Sequence, residues 1–447
     1  MVKVITYGTY DLLHYGHIRL LERAKSLGDY LIVGVTADGF DKARGKINVQ
    51  QSLMERIEAV RATGLADEII VEEYEGQKID DIRRLDVDIF TVGSDWKGHF
   101  DYLNEFCKVV YLDRTEGVSS SEIRAEKREV HLGLVGESGI LNKFAKECSF
   151  VNGLKIIGYC SQDDSMFDRD LIQLPLHTNN LTQLLNSVDA IYIVSHPRYH
   201  YIQIKQALEA GKHVLCESPI TLKVSEYEEL QHIADSNDCV LMDAIKTAYS
   251  TAYYRMLLLA KSGVIGDIVS VDSTCTSLSD LEKKKGKDLS NTWNSICAWG
   301  PTAMLPIFHL LGTEYSSKVV TSRMDAEQDK FDLFTKIAFI YPNAVASLKV
   351  GKGVKSEGEL IVSGTKGYIY VPAPWWKTEY FEIRYENPAE NKRYFYQLDG
   401  EGIRYELVNF LKAISGNKKI SYVQKEISKM IVQQINDFMD GKDMKVI

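Results

Sequence analysis

Residues 2–28 constrain this chain more than any other stretch. A β-type run over residues 2–6 passes through Tyr7, Gly8, Thr9, Tyr10 and Asp11 into an apolar-periodic run of Ile18, Leu21, Ala24 and Leu27, closed by Gly28. That order spells strand, glycine-bearing turn and helix. Two histidines, His14 and His17, stand around Gly16 where the helix should begin. A helix start offers unpaired backbone N–H groups and the positive end of its dipole, and side chains three apart share a face, so both imidazoles can address one anion. The turn is phosphate chemistry in outline.

The pattern continues with a strand-like run at 30–36, a charged loop at 38–46, a helix around 53–62, and short strand-like runs at 68–71, 88–92 and 109–112. Strands alternating with helical patterns predict a parallel sheet with crossovers, and ligands of such sheets sit at the carboxyl ends of strands. Three polar loops fall there: the histidine turn, Gly93-Ser94-Asp95-Trp96, and the run from Arg114 to Ser121. Trp96 divides evenly between pocket wall and core aromatic. Arg83 and Arg84 read as a solvated helix face.

With 447 residues, at roughly 150 per domain, two or three domains are expected. The net charge is −9, and residues 1–128 carry 18 basic against 23 acidic side chains. Nucleic acid is thereby excluded as a bulk partner. Seven scattered cysteines, with no C-x-x-C pair, read as reduced thiols, and the strand pattern directly after Met1 leaves no room for a signal peptide. No apolar run approaches the roughly 20 residues needed to span a bilayer. A cytoplasmic chain is the expectation.

Taken together, the turn, the Gly-Ser-Asp-Trp loop and the segment Arg114-Thr115-Glu116-Gly117-Val118-Ser119-Ser120-Ser121 resemble the glycerol-3-phosphate cytidylyltransferase family, nucleotidyltransferases marked by His-x-Gly-His. The resemblance covers essentially all of residues 1–128. It implies in-line attack of a substrate phosphate on the α-phosphorus of CTP, with catalysis by positioning and charge stabilisation. His14 and His17 would donate to phosphate oxygens, with Lys46 and Arg114 completing the catalytic set. Gly8, Thr9, Tyr10, Asp11, Gly16, Arg44, Asp95, Thr115, Ser119 and Ser120 would border the nucleotide. Mg²⁺ would arrive with CTP, held chiefly through phosphate oxygens, with no direct protein ligand assigned. The family usually has lysine where Arg44 stands, which touches geometry more than charge.

Past the charged seam at 126–129 a second nucleotide-type pattern begins: strand 130–135, turn Gly136-Glu137-Ser138-Gly139, helix 140–148, and strands at 154–159 and 189–194. Order and spacing resemble the sugar and polyol oxidoreductases typified by glucose-fructose oxidoreductase and inositol dehydrogenase, over nearly all of residues 129–447. The resemblance implies a dinucleotide, NAD(P), with Gly136, Ser138, Gly139, Ser195, Glu217 and Pro219 as the candidate site. Most of its chemical groups are replaced. Ser138 and Leu141 take the later fingerprint glycines, Ser218 takes the lysine in Glu217-Ser218-Pro219, and Ala298 and Thr302 fall where an aspartate and a histidine would relay the proton.

The expected architecture is α/β: a Rossmann-like nucleotidyltransferase domain (1–128), a Rossmann dinucleotide-binding-like domain (129–245), and an α+β domain with an open, mainly antiparallel sheet (246–447). The expected function is CMP transfer from CTP to a small phosphorylated polyol, glycerol 3-phosphate first. The fused module reads as one without redox activity, with two alternatives left open. It is an active dehydrogenase using other groups such as Lys246, Tyr249 or His309, or it is a ligand-binding or oligomerisation scaffold. A homo-oligomer is expected. His200 is as readily structural as functional. Trp375 and Trp376 are assigned to sheet packing or an oligomer face, and residues 426–438 to an amphipathic helix.

Overall fold

The computed structural model describes residues 1–37, 49, 51–74, 76–113, 129–151, 153–278, 292–326, 331–396, 398–416 and 422–447. The chain forms two compact units, residues 1–129 with 150–153, and residues 130–149 with 154–447.

In the first unit, five strands β1 (Lys3–Gly8), β2 (Tyr30–Thr36), β3 (Glu68–Glu72), β4 (Ile89–Gly93) and β5 (Lys108–Leu112) form a sheet ordered β3-β2-β1-β4-β5. Every neighbouring pair runs parallel. Helices α1 (Tyr15–Lys25), α2 (Leu53–Ala62) and α3 (Gln77–Leu85) make the crossovers. Successive strand residues point to opposite faces. Val4 accordingly joins a core with Leu21 and Ala24 of α1 and Ile57 and Val60 of α2, while Ile5 joins Ile82 of α3 and Phe90 on the other face. Both are fully buried; removing such side chains from water contributes about 2 kcal/mol each. The strand order reverses between β1 and β4. That reversal opens a crevice at their carboxyl ends, where the histidine turn and the Gly93–Trp96 loop leave the sheet.

The second unit starts with a six-stranded parallel sheet: β6 (Val130–Val135), β7 (Leu154–Cys160), β8 (Leu176–Thr178), β9 (Ala190–Ile193), β10 (His213–Glu217) and β11 (Leu241–Ala244), ordered β11-β10-β9-β6-β7-β8. Helices α4 (Ile140–Cys148), α5 (Pro197–Glu209) and α6 (Val224–Ser236) belong to it, and its own switch lies between β6 and β9. A nine-stranded sheet follows, built from β12 (Ile268–Thr276), β13 (Ser317–Met324), β14 (Asp332–Ile340), β15 (Val345–Gly351), β16 (Leu360–Gly364), β17 (Tyr368–Val371), β18 (Tyr380–Arg384), β19 (Lys392–Phe395) and β20 (Met444–Val446). It is mainly antiparallel, with β12/β15 and β13/β20 parallel.

Helix α7 (Thr251–Lys261) precedes this sheet and α8 (Ser295–Leu311) lies on β12, β14 and β15. After α9 (Ile403–Ile414), the last helix α10 (Lys425–Met439) returns to the parallel sheet, where Val432 enters the core of β9, β10 and α6. The amphipathic tail of the sequence is thus an internal helix. Trp375 is fully buried and donates from its indole N–H to the Thr274 carbonyl, which makes it a core residue rather than an oligomer face. All seven cysteines are free. Among the described residues, no helix is long and apolar enough to cross a membrane.

Candidate active site

The turn after β1 is held by its own side chains. His14 is the N-cap of α1, and its Nδ1 accepts the Gly16 N–H at 3.1 Å; the Nδ1 of His17 accepts the His14 N–H at 3.4 Å. The pair is a capping box written with imidazoles in place of the usual serine and glutamate. A neutral imidazole whose Nδ1 accepts must carry its proton on Nε2. In that neutral form the helix start favours the Nε2–H tautomer of both rings. The rings stack at 3.9 Å between centroids, and the Tyr10 ring meets His17 edge-on at 5.6 Å.

Tyr10 and Leu12 adopt φ of 53° and 49°, a left-handed conformation unfavourable for residues with side chains. The surroundings enforce it. The Tyr10 side chain is buried, packed against Gly8, where an added Cβ would lie 3.0 Å from its ring. Burial also pushes the Tyr10 phenol well above its ordinary range, so it stays a neutral wall of the turn. Asp11 is buried and accepts the Gln51 N–H at 2.9 Å, while the Gln51 side-chain oxygen accepts the Leu12 N–H at 2.7 Å.

A residue the sequence had not singled out closes this network. Arg56, on α2, is fully buried, and its guanidinium donates to the carbonyls of Thr9 at 2.6 Å, Thr36 at 2.8 Å and Gln51 at 3.1 Å. It joins the histidine turn to the end of β2 and the start of α2. The signal was present: Arg56 sits on the stripe Leu53, Arg56, Ile57, Val60, whose spacing is that of a buried helix face.

The structure therefore gathers Gly8, Thr9, Tyr10, Asp11, His14, Gly16 and His17 in one turn. Asp95 is exposed in a single helical turn, Ser94–Trp96, that follows β4, the neighbour of β1. Trp96 packs on His99 and Phe100 beside the α3-side core, which favours the core-aromatic side of its two assignments. Arg84 is exposed and pairs with Asp81, and Arg83 lies over the Phe106 ring at 4.7 Å. Arg44, Lys46, Arg114, Thr115, Ser119 and Ser120 lie outside the described residues. Among the described residues no cluster of carboxylates, histidines and cysteines suits a metal ion.

In the second unit, Gly136 has φ of 135°, and a Cβ there would lie 2.9 Å from the backbone of Val194 and Ser195. The tight turn a dinucleotide needs is present, with Gly139 starting α4 and the Ser138 hydroxyl accepting the Ile140 N–H at 3.4 Å. Ser195 is buried and donates to Gln203, and Glu217 accepts the Tyr192 hydroxyl. Burial pushes the Glu217 carboxyl up against that hydrogen bond. Pro219 gives its carbonyl to His200 at 2.8 Å, and Ser195 gives its carbonyl to the other ring nitrogen at 2.8 Å, so His200 is a buried brace between two loops.

The substitute acid/base groups are occupied elsewhere. Lys246 pairs with Glu401 at 3.1 Å, alongside Lys143 at 2.6 Å and Lys377 at 2.5 Å. Burial alone would raise the Glu401 carboxyl, yet these three ammonium groups together draw it down to about 2. His309 bonds the Tyr253 hydroxyl at 3.0 Å and the Tyr422 carbonyl at 2.8 Å, and burial lowers it to about 4. Tyr249 is buried. Ala298 and Thr302 stand one turn apart on α8, where neither can exchange a proton.

Comparison with known proteins agrees with both halves. Residues 5–126 match the cytidylyltransferase-like family and residues 130–244 the oxidoreductase family with an NAD-binding Rossmann fold. Over 126 residues the chain is 50% identical to glycerol-3-phosphate cytidylyltransferase of Bacillus spizizenii, covering 28% of this chain and 97% of that one. It is 48% identical over 130 residues to the enzyme of the same name from Staphylococcus aureus, covering 28% and 95%. The second half shares its fold with KijD10, a 3-ketoreductase from Actinomadura kijaniata solved with NADP and TDP-benzene, at 16% identity and a TM-score of 0.63, covering 72% of this chain and 100% of that one. A histidine pair capping a helix start at a sheet crevice, on a chain segment half identical to cytidylyltransferases over nearly their whole length, leaves one conclusion: the chain belongs to the cytidylyltransferase-like family, a nucleotidyltransferase joined to an oxidoreductase-type Rossmann module.

Proposed function

We propose that residues 1–128 transfer CMP from CTP to glycerol 3-phosphate, giving CDP-glycerol and pyrophosphate. An oxygen of the acceptor phosphate attacks the α-phosphorus of CTP, the new P–O bond forms as the α–β bridge breaks, and pyrophosphate leaves opposite the attack. Negative charge grows on the phosphoryl oxygens, and fixed N–H donors lower its energy without reorganising at the moment of reaction. The capping of α1 by His14 and His17 carries this reading, because it fixes both imidazoles through Nδ1 at the helix start after β1. Asp11 and Arg56 are assigned positioning roles, since their hydrogen bonds to Gln51 and Thr9 set the turn. Mg²⁺ bound to the triphosphate would neutralise the leaving group, and Lys46, Arg44 and Arg114 are the cations assigned to the same phosphates.

The second unit, divided at about residue 245, is assigned a retained fold without redox turnover. Support comes from Ser218, Ala298 and Thr302 where proton-relaying groups are needed, and from Lys246 and His309 being held in other contacts. The rival of a working NAD(P)-dependent dehydrogenase keeps one observation in its favour, the Gly136 turn. Self-association into a homo-oligomer and a role in supplying CDP-alcohol for cell-wall or capsule polymers complete the proposal. Pyrophosphate release with CTP and ATP, against a panel of phosphorylated alcohols, tests it. CTP with glycerol 3-phosphate should be turned over fastest, and preference for another nucleotide or acceptor class would replace this reading.

A further inference from the structure

Three lysines from three separate elements of the second unit converge on one carboxylate. Lys143 of α4, Lys246 of the single turn Lys246–Tyr249 after β11, and Lys377 of the turn Trp375–Lys377 reach Glu401 at 2.6, 3.1 and 2.5 Å. The lysine side chains are 38%, 27% and 42% exposed and that of Glu401 26%, so a solute can reach the cluster. Among the described residues, Glu401 is the one carboxylate paired with any of the three, and it offsets one positive charge of three. Glu217 and Glu406 also act on Lys246, but burial pushes both carboxyls up, Glu406 well above the usual range, and so works against a negative charge on either.

The backbone that delivers Glu401 is strained. Gly400, Glu401 and Gly402 have φ of 59°, 53° and 92°, three left-handed residues in a row of which the middle one carries a side chain. That conformation is unfavourable for a residue with a Cβ, and such outliers concentrate at ligand clamps and switches. The turn is pressed onto its neighbours, since a Cβ at Gly402 would lie 2.7 Å from the Lys246 carbonyl oxygen and one at Gly400 would meet the Glu147 carboxylate. Helix α9 starts directly after it, and its N-cap, Gly402, has no side chain to give to the first turn, so the positive end of the helix dipole adjoins Glu401 in the chain.

We propose that Lys143, Lys246 and Lys377 form a binding site for the phosphate group of a small phosphorylated ligand, and that Glu401 is a built-in occupant which this ligand displaces. A carboxylate has two oxygens to share among three ammonium groups, whereas a phosphate monoester offers three oxygens and about −1.5 to −2 charge at pH 7. The ligand thus meets all three lysines at once, and the strained turn is released when Glu401 leaves. The site belongs to the second unit and is independent of the reading given to the histidine turn.

The test titrates the full chain with glycerol 3-phosphate, inorganic phosphate and glycerol by calorimetry. Glu401→Gln keeps the size of the side chain and removes the competing charge, so this site should take glycerol 3-phosphate at least about tenfold more tightly than in the parent. Adding Lys143→Ala and Lys377→Ala should remove one bound phosphate per chain, and Lys377→Gln alone, at an exposed side chain, should weaken binding at least about threefold. Any site in residues 1–128 is common to all these chains, so the differences read the second unit whether or not the first accepts glycerol 3-phosphate. Tighter binding of the ester than of inorganic phosphate assigns a phosphorylated polyol and equal binding assigns free phosphate, and either supports the site. Lysines and glutamate that serve only as an ion-pair brace would change the melting temperature on substitution and leave phosphate affinity unaltered. That result, a phosphate site in Glu401→Gln that survives loss of the lysines, or equal binding of glycerol would overturn the proposal.

Discussion

The imidazoles of His14 and His17 stack at 3.9 Å with their planes 27° apart, and each uses Nδ1 to accept a backbone N–H of the same helix start. Structure and chemistry are therefore coupled at these two residues, since one nitrogen of each ring caps the helix start where the proposed phosphate site lies.

That coupling can be separated by substitution. His14→Asn keeps a capping oxygen and loses the donor, so its thermal stability should stay within about 1 kcal/mol of the parent while turnover falls roughly 100-fold or more. His14→Ala should lose both. Melting curves beside pyrophosphate-release rates distinguish the two effects.

Arg56 should matter through geometry. Arg56→Met leaves the Thr9, Thr36 and Gln51 carbonyls without this donor, and burial of such groups unpaired costs about 1–3 kcal/mol each. Urea denaturation should show a loss of at least about 2 kcal/mol, and kcat/KM should drop at least tenfold as the turn relaxes. Arg56→Lys should recover only part of either, because one ammonium cannot reach three carbonyls in the guanidinium fork.

How far the sequence carried is clearest from this pair of sites. The histidine turn was legible because strand, glycine and helix signals are local, and its position at the sheet crevice followed from strand alternation. The helix was read to Leu27, whereas α1 stops at Lys25, with Ser26 as its cap. Arg56 was not legible as a site residue, because its role depends on three carbonyls that only folding brings together. The left-handed Tyr10 and Leu12 were hidden likewise, as neither residue type signals a positive φ. In the second half the sequence showed which chemical groups are replaced, yet only the structure shows Lys246 and His309 tied to Glu401, Tyr253 and Tyr422.

For the second unit, no oxidation or reduction of NAD(P)(H) should accompany incubation with polyols or sugars, followed by absorbance at the nicotinamide band. Gly136→Ala forces a side chain into a φ of 135° and against the Val194–Ser195 backbone, and should cost about 1–3 kcal/mol. Its pyrophosphate-release kcat should match the parent's. Reduced transferase kcat in a folded Gly136→Ala chain would show that the halves work as one enzyme.

The pH dependence of stability has two opposing parts. His196 and His309 are each lowered to about 4, chiefly by burial, so their contribution is present above the ordinary histidine range near 6.5 and is lost as pH falls through about 4. Asp243, raised to about 7 chiefly by burial, contributes in the opposite sense: its share is full below about 3.8 and is lost as pH rises through about 7. Urea midpoints across pH 4 to 8 should show His309→Gln less sensitive to acid than the parent, and Asp243→Asn less sensitive to alkali.

The central claim rests on the two imidazoles, and the rate of pyrophosphate release from CTP and glycerol 3-phosphate by the folded His14→Asn/His17→Asn chain tests it most directly. The account predicts a rate at least about 1,000-fold below the parent. A doubly substituted chain that releases pyrophosphate at the parent rate would contradict it.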